Sequence, residues 1–526
     1  MRILYNGRIR TLNPNQPHAS AVAVDGGRIV SAGSDDQVLA LATPGANLIN
    51  LEGNTVWPGL TDAHIHLEHY ARFLQMVDCE TTTRQECLER VAQKARQIAP
   101  GAWLRGHGWN QNIWPEGFGD AALLDQAAPD HPAYLTAKSL HAGWANTAAL
   151  QIAGINADTP DPENGHIARD ANGRPTGILF ENAMQLIDRA IPAPSAEELA
   201  SAIEAAQAVL WSLGITGLHD FDGPLCFQAL QLLHGRGKLK LRMIKNLPGA
   251  VLEHARSLGL RSGFGDDMLR IGSLKLFADG ALGPHTAAML EPYEGEDQTG
   301  MLFLNTEQVV EFGMKALPSG FSLAIHAIGD RANREIINAY EQLRTFEHHQ
   351  GLPHYRHRIE HVQLLHPADH ARLAKHNIIG SVQPIHATSD MDMADQFWGK
   401  RAANAYAYRT LHDKGTILAF GSDAPVESPN PFWGLHAAVT RRRHGGEPGP
   451  DGWYPMQRLS LAEALLGFTR GAAYAAGVDD RAGMIAPGYL ADLIVLDVDP
   501  FAIDPQRLHA IQPRMTMVAG DWVWQA

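Results

Sequence analysis

Short, mostly apolar runs recur along the chain, and each is followed by a segment whose apolar residues have helical spacing. Eight such runs occur, at residues 56–66, 133–137, 215–220, 272–279, 322–328, 357–363, 378–384 and 417–423. Most are apolar throughout, which is typical of strands buried on both faces of a parallel sheet. Repeated strand–helix units with eight strands predict an α/β fold, a (β/α)8 TIM-type barrel.

The two chain ends follow another pattern, in which apolar and polar residues alternate between Asn-Gly, Asp-Gly and Gly-Gly turns. We therefore expect residues 1–58 and 480–526 to form one composite β-sandwich domain beside a barrel of residues 59–479. Two segments, at about 67–132 and 155–180, are too long for ordinary barrel loops. We interpret them as insertions that cover the active-site mouth.

Composition narrows the class of protein. The 526 residues include 57 acidic and 43 basic side chains, giving a net charge of −14, which argues against nucleic-acid binding. Three cysteines are too few for a disulfide framework and fit a reducing compartment. The amino terminus lacks a signal-peptide pattern, and no run has the roughly 20 apolar residues of a membrane helix. We expect a cytoplasmic protein without membrane partners; a homodimer is left open.

Potential metal ligands stand at the ends of four of the apolar runs. His64 and His66 are two residues apart on a strand, so both imidazoles point to the same side. His326 and His361 lie near the ends of two other runs, and Asp423 is the last residue of a third. In a parallel barrel the carboxyl ends of all strands surround one mouth, where these side chains would meet. Imidazole and carboxylate are the ligands of hydrolytic metal sites, so the pattern predicts a metal centre.

Lys275 lies within the apolar run at residues 272–279, where a buried charge is costly. Two interpretations stay open from the residues alone. In the first, the ammonium group pairs with Asp279. In the second, the neutral amine has reacted with carbon dioxide, and the resulting carbamate bridges two metal ions as a carboxylate would.

Several motifs, taken in order, resemble the amidohydrolase superfamily. They include PGLTDAHIH (58–66), WLRGHGWNQNIWPEG (103–117), HAIGD (326–330), RIEHVQ (358–363), GSDAP (421–425) and APGYLADLIVLD (486–497). The resemblance runs nearly end to end and is strongest to the branch of N-substituted formamide deformylases, amidohydrolase family 3. It implies a distorted barrel flanked by a β-sandwich. It also implies two divalent metal ions, usually Zn²⁺, and hydrolysis of a small-molecule amide by a metal-activated hydroxide.

The resemblance also assigns roles to residues. His64 and His66 match the ligands of the first strand, and His326 and His361 those of the fifth and sixth. Lys275 matches the bridging lysine that is carboxylated on N6. Asp423 matches the aspartate of the eighth strand, which binds metal and acts as the catalytic proton acceptor and then donor.

Other residues near the expected mouth are candidates for substrate contact, with core packing an equally good interpretation: Trp109, Asn110, His141, Trp144, His219, Asp279 and Gln383. The tryptophans would suit an apolar or aromatic N-substituent. A further group of histidines lacks a strand-end position and is interpreted as solvated or structural: His348, His349, His386, His412 and His436.

The substrate stays open within this scaffold. The branch usually reads DGSLGSRTA where this chain reads DGALGPHTA (279–287), so contacts attributed to the arginine of that motif do not transfer. A cyclic amidase, an N-acyl amino acid hydrolase and a deaminase would use the same metal centre. A metal-binding regulator without activity would have lost a ligand, and none is missing. A carbohydrate-acting barrel would need two carboxylates across the mouth, where this chain has mainly histidines.

Overall fold

The largest sheet of the protein is a parallel barrel. A computed structural model describes residues 1–526. The barrel strands, in sheet order, are Leu60–Ile65, Ile215–Asp220, Arg242–Pro248, Leu269–Phe277, Leu323–Ala327, Arg358–His361, Ile379–Val382 and Leu418–Phe420. All neighbours pair in parallel, and apolar side chains such as Ile325 and Ile359 form the buried core. The predicted TIM-type α/β fold is confirmed.

The first and eighth strands are joined by main-chain hydrogen bonds at their carboxyl ends. Here the Asp423 main-chain N–H donates to the His64 carbonyl at 2.7 Å, and the His66 N–H donates to the Ala424 carbonyl at 2.9 Å. The approach requires a glycine, because a Cβ on Gly421 would lie 2.4 Å from the His64 nitrogen. The barrel is therefore drawn together at the end that carries His64 and Asp423.

One predicted barrel strand is wrong. Ala133–Ala137 pairs with Leu104–Trp109 and with Ala142–Ala145, in a separate six-stranded sheet. Its apolar character matched a barrel strand because a central strand of any two-sided sheet is buried in the same way.

The strand that the sequence pattern missed is Arg242–Pro248, the third of the barrel. Its apolar run is interrupted by two basic residues. Arg242 forms an ion pair with Asp492, and the fully buried Lys245 forms one with Asp220. These partners compensate the cost of burial, but they lie far away in sequence, so the local pattern conceals the strand.

The chain ends form two further sheets. A four-stranded sheet contains Arg2–Tyr5, Ala21–Asp25, Arg28–Gly33 and Asn47–Asn50. A six-stranded sheet contains Arg8–Arg10, His18–Ala19, Thr55–Pro58, Leu493–Leu496, Met515–Val518 and Asp521–Gln525. In the second sheet, Thr55–Pro58 pairs antiparallel with Leu493–Leu496, so strands from both termini share one sheet.

The chain divides into two compact units, Met1–Tyr70 with Leu199–Ala526, and Ala71–Glu198. The strands of the second unit are Val77–Asp78, Leu104–Trp109, Ala133–Ala137, Ala142–Ala145, Gly165–Arg169 and Pro175–Glu181. Its helices are Arg84–Ala95, Ala121–Ala127, Thr147–Ile152 and Met184–Asp188. That the insertions cover the barrel mouth stays a prediction.

The remaining α-helices are Asp35–Leu39, Leu67–Phe73, Ala196–Ser212, Pro224–Gly235, Leu252–Ser257, Thr306–Ala316, Asp330–His349, Arg372–Lys375, His386–Ser389, Met391–Trp398, Tyr408–Asp413, Pro431–Thr440, Leu461–Leu466 and Ala472–Ala476. Shorter helical turns are Gly249–Val251, Leu317–Ser319, Pro367–Asp369, Gly399–Asn404, Pro455–Gln457, Gly467–Gly471 and Pro505–Ala510. None of these helices combines the length and the apolar character needed to cross a bilayer.

Candidate functional site

Side chains from the first and eighth barrel strands converge at the carboxyl end of the barrel. One carboxylate oxygen of Asp423 lies 3.5 Å from Nε2 of His64 and 3.4 Å from Nε2 of His66. These residues are far apart in sequence, and they meet because their strands close the barrel. This geometry matches the arrangement expected from the strand ends, with two imidazole nitrogens and a carboxylate facing one point.

The other candidate ligands lie beside this group. The ring of His361 is 4.9 Å from that of His64 and 4.5 Å from that of His326, measured between centroids. Together with Lys275, these histidines and Asp423 line a single cavity of about 330 Å³. The structure thus brings all six sequence-predicted metal-site residues into one cavity.

The far side of each imidazole is held by a hydrogen bond. Nδ1 of His64 is bonded to the Glu360 carboxylate at 2.6 Å, and Nδ1 of His66 to the Asp222 carboxylate at 3.0 Å. Such outer partners orient an imidazole and fix which nitrogen is free for a metal. Nε2 of His64 is buried without a hydrogen-bond partner and lies 3.5 Å from an Asp423 carboxylate oxygen, an arrangement that suits a metal-ligating nitrogen.

The remaining two imidazoles are held in the same manner. His361 donates from Nδ1 to the Gln383 side-chain oxygen at 2.9 Å, which leaves Nε2 free. His326 donates from Nε2 to the Gly280 carbonyl at 2.9 Å, which leaves Nδ1 free. Four imidazoles therefore each have one nitrogen held by the protein and the other available in the cavity.

Burial keeps most of these imidazoles neutral, the form that binds metal. It lowers the pKa of His64 to about 4 and that of His326 to about 3, and the charge of Lys275 contributes in the same direction. For His66, burial is outweighed by hydrogen bonds to Asp222 and Asp423, and the pKa rises to about 9. Against the cost of burial, the contact with His66 and the other histidines holds the pKa of Asp423 far below its usual range, so this carboxylate is charged.

Two of the candidate ligands have a strained backbone. His361 has φ of 76° and Asp423 has φ of 63°, both in the left-handed region that residues other than glycine rarely adopt. Such conformations persist where the surrounding structure enforces them, and they are concentrated at functional sites.

Lys275 is buried without a carboxylate partner. No acidic oxygen lies within 4.0 Å of its Nζ, which instead sits 4.7 Å and 4.8 Å from the ring centroids of Phe221 and Phe277. The alternative in which it pairs with Asp279 is therefore wrong. Burial lowers the pKa of Lys275 to about 8, although Glu360 and Asp423 oppose the shift. Part of the amine is thus neutral near neutral pH, which is the form that reacts with carbon dioxide.

Three of the candidate substrate contacts lie outside the lining of this cavity. The Asp279 carboxylate accepts main-chain N–H groups from Ala288, Ile328 and Gly329, so it holds the loops that follow two barrel strands. Burial of His219 lowers the pKa of its imidazole, whose Nδ1 faces the Arg358 guanidinium. Gln383 acts through His361, as described above.

The other four candidate contacts belong to the second compact unit: Trp109, Asn110, His141 and Trp144. Trp109 and Trp144 are buried edge to face at 6.4 Å, and each indole N–H donates to a main-chain carbonyl. Both rings thus serve the core of that unit. His141 is exposed and bonded to Glu181, and the Asn110 side chain accepts the Asn112 N–H. Contact of these four residues with substrate stays a prediction.

The sequence pattern missed one buried histidine of the cavity, His386. It was interpreted as solvated or structural, yet its Nε2 is buried without a hydrogen bond, 4.0 Å from the second carboxylate oxygen of Asp423. Its other nitrogen, Nδ1, is bonded to the Gln363 side chain at 3.3 Å. A signal existed: His386 follows the seventh strand closely, in a helix that begins immediately after the strand-end turn.

The sequence pattern also missed Asp222, whose carboxylate is hydrogen-bonded to two imidazoles. Replacing it tests whether such a hydrogen bond contributes to metal binding. Its carboxylate binds Nδ1 of His66 at 3.0 Å and Nδ1 of the exposed His69 at 2.8 Å. We expect Asp222→Asn to weaken metal binding about 10- to 100-fold, since loss of an outer partner has effects of this size. Competition with a chelator for Zn²⁺ would measure the change.

A matched control is Asp266→Asn, which alters an equally short carboxylate–histidine contact, to His234 at 2.7 Å, on the surface. It should leave the Zn²⁺ affinity unchanged. Equal affinities for wild type and Asp222→Asn would show that Asp222 does not support a metal ligand.

Comparison with known proteins agrees with this geometry. Residues 47–524 match the model of the amidohydrolase family. The chain is 34% identical to the protein YtcJ of Bacillus subtilis (strain 168), with 99% of each chain covered. It is 30% identical to the N-substituted formamide deformylase of Arthrobacter pascens, over 98% of this chain and 97% of that enzyme.

A solved structure extends the agreement to three dimensions. The crystal structure of an uncharacterized metal-dependent hydrolase from Pyrococcus furiosus superimposes with a TM-score of 0.79 at 29% identity. The match covers 95% of this chain and 99% of that one. The protein therefore belongs to the amidohydrolase family and is a metal-dependent hydrolytic enzyme acting on carbon–nitrogen bonds.

Proposed function

We propose that the enzyme hydrolyses neutral N-substituted amides, with N-substituted formamides as the foremost substrates, in the cavity at the barrel mouth. The observation that carries the proposal is the set of four imidazoles with one nitrogen held and the other free, beside the charged Asp423 carboxylate. The activity of the Arthrobacter pascens relative, as its name states it, supports the formamide.

The donor set fits two divalent ions, of which Zn²⁺ is the foremost candidate. His64, His66 and Asp423 would hold one ion, and His326 and His361 the other. Carboxylated Lys275 would be shared between them. The fit rests on the buried Nε2 of His64 without a hydrogen-bond partner, on the neutrality of most of the imidazoles, and on an amine that no carboxylate neutralises. When bound, such ions supply Lewis acidity, which lowers the pKa of water from 15.7 to about 7 and polarises a carbonyl oxygen.

Side chains of the protein accept and return the proton of the attacking water. Asp423 is charged and stands between the ligand nitrogens and His386, so it can accept a proton from the attacking water. The same carboxyl group can then give this proton to the nitrogen of the leaving amine. His386 accepts the Gln363 amide N–H at Nδ1, so its proton lies on Nε2, which faces the Asp423 carboxylate at 4.0 Å.

The cavity wall limits which amides fit. Phe277, Leu282, Ile328 and Val426 give it an apolar surface, and Lys275 is the only lysine or arginine in the lining. Two of the positions at which DGALGPHTA (279–287) departs from the usual motif of the branch lie in different places. Ala281 lines the cavity, whereas His285 lies outside it and is bonded to Glu296. The wall thus suits an apolar N-substituent.

Acidic residues of the wall disfavour an N-acyl amino acid as substrate. Asp390 and Glu427 line the cavity without an ion pair to any basic side chain, and Glu427 has no hydrogen bond at all. We expect kcat/KM for an N-benzyl formamide to exceed that for an N-formyl amino acid of similar size roughly 10- to 100-fold, because like charges repel in a partly desolvated site. Glu427→Lys should reduce this ratio, measured by amine release.

Glu253→Lys provides the control, because it introduces the same charge change on an exposed helix. If N-formyl amino acids are turned over as well as the neutral formamide, the assignment of a neutral substrate is wrong.

Metal removal tests the proposal as a whole. Dialysis against a chelator should abolish hydrolysis of N-benzyl formamide, and Zn²⁺ should restore it. Metal analysis of enzyme with only its tightly bound ions should find two per chain. If neither N-alkyl formamides, N-benzyl formamides nor longer acyl amides are hydrolysed by zinc-loaded enzyme, the proposed function fails.

A further inference from the structure

Three histidines form a second cluster, away from the cavity at the barrel mouth. His436 lies in the helix Pro431–Thr440, His444 follows that helix, and His509 lies in the helical turn Pro505–Ala510. Their ring centroids are 5.3 Å apart for His436 and His444, 5.1 Å for His436 and His509, and 4.6 Å for His444 and His509. We call these three residues the histidine triad.

The nitrogens of the triad have no partners in the protein. No hydrogen bond or ion pair involves any of the six ring nitrogens, and Nδ1 of both His436 and His509 is buried. His436 itself is only 1% exposed. Nearly all buried polar groups in proteins have a hydrogen-bond partner, so a buried imidazole without one indicates an ion or water that completes the site.

The electrostatic surroundings favour neutral imidazoles. Burial lowers the pKa of His436 to about 4, and the charges of His444, His509 and Arg442 contribute in the same direction. Neutral imidazole is the ligand form for Zn²⁺, Cu²⁺ and Ni²⁺, whereas Ca²⁺ and Mg²⁺ need oxygen ligands. The charge of Arg442 opposes a cation here, and three direct nitrogen ligands must outweigh it.

The spacing of the rings suits one ion. Zinc–nitrogen bonds of about 2.1 Å in tetrahedral geometry place imidazole centroids about 5 Å apart. We propose that His436, His444 and His509 form a binding site for a late transition-metal ion such as Zn²⁺ or Cu²⁺, separate from the metal centre of the barrel. His444 is stacked on His509 at 14° and lies edge to face with Trp433 at 4.4 Å, so its exposed ring must rotate away from these contacts to present a nitrogen.

The proposed site would join two parts of the chain that are distant in sequence. The helix Pro431–Thr440 follows the last barrel strand, while the turn Pro505–Ala510 lies between two strands of the sheet shared by the termini. An ion bound to both elements stabilises the folded chain, since a ligand that binds only the native state shifts the unfolding equilibrium. A higher Tm on metal binding is therefore expected.

The test uses enzyme already loaded at the barrel, titrated with Zn²⁺ in equilibrium dialysis and with Cu²⁺ in electron paramagnetic resonance. Wild type should bind one more ion per chain than the double variant H436Q/H509Q. The electron paramagnetic resonance spectrum of wild type with Cu²⁺ should show hyperfine coupling to nitrogen from this additional ion. His444→Ala, at an exposed position, should weaken this additional ion at least about tenfold and abolish the metal-dependent rise in Tm.

The matched control is H348A/H349A, which removes two exposed neighbouring histidines from the end of a helix. It should keep the additional ion and the Tm shift. The proposal is overturned if His444→Ala binds the ion as tightly as wild type, or if H348A/H349A loses it equally. Because His444 is exposed, its variant tests the site even if H436Q/H509Q fails to fold.

Discussion

Asp423→Asn should lower kcat for amide hydrolysis about a thousandfold while the chain still binds metal. Asparagine keeps the shape of the side chain and one oxygen ligand, but it cannot accept and return a proton, and general acid–base catalysis contributes about 10²- to 10⁴-fold. The carboxylate lies within 3.5 Å of the free nitrogens of two imidazoles, so loss of its charge should also weaken one ion. Steady-state kinetics with metal analysis of the same sample would separate the two effects.

Asp390→Asn is the matched control for this variant. It makes the same change in the same cavity, on a carboxylate that accepts the Tyr406 hydroxyl rather than facing the ligand nitrogens. With a neutral formamide it should change kcat less than about tenfold. A metal-loaded Asp423→Asn enzyme with a rate close to wild type would remove Asp423 from the proton transfer.

Lys275→Met should reduce the metal content below two ions per chain and lower kcat/KM by about a thousandfold or more. Methionine is an unbranched apolar side chain that can pack against Phe221 and Phe277 as the lysine does, but it cannot form a carbamate. The second variant, Lys275→Arg, keeps the positive charge and likewise cannot form one. Both should fail to bind the pair of ions, as measured by metal analysis after dialysis.

The carbamate can also be observed directly. Wild type reconstituted with Zn²⁺ and ¹³C-bicarbonate should show a carbamate carbon resonance that both Lys275 variants lack. Lys315→Met, on an exposed helix position paired with Glu311, should behave as wild type in metal content and rate. Two tightly bound ions in Lys275→Arg would contradict the lysine bridge.

The strands that carry the candidate ligands could be predicted from sequence because the signals are local. In residues 322–328, an apolar run leads to His326, near the end of the observed strand Leu323–Ala327, so the local pattern identifies both the strand and its end. Barrel topology then places all carboxyl ends at one mouth, so His326, His361 and Asp423 could be grouped from sequence alone. The resemblance to a family added their roles.

The missed strand and the misplaced strand have different physical origins. Arg242–Pro248 was missed because its Lys245 is neutralised by Asp220 from the neighbouring strand. Ala133–Ala137 was misplaced because burial alone does not reveal which sheet a strand joins. Partner choice depends on main-chain hydrogen bonds and packing, which a local pattern does not encode.

The side chains that orient the imidazoles could not be identified from the sequence pattern either. Glu360 is adjacent to His361 in sequence yet holds His64, 296 residues away. Successive residues of a strand point to opposite faces, but here the strand ends and the φ of His361 becomes positive, so both side chains serve the same site. Such a role could not be assigned without the tertiary structure.

The sequence by itself determined that the chain forms an α/β barrel and that its strand ends carry histidines, a lysine and an aspartate suited to metal-dependent hydrolysis. These follow from periodicity and residue type, which are local properties. Only the tertiary structure decided that Lys275 has no carboxylate partner, that His386 faces Asp423, and that three other histidines cluster without hydrogen bonds. Each of these depends on which distant side chains share a buried space, and burial removes the water that would otherwise satisfy them.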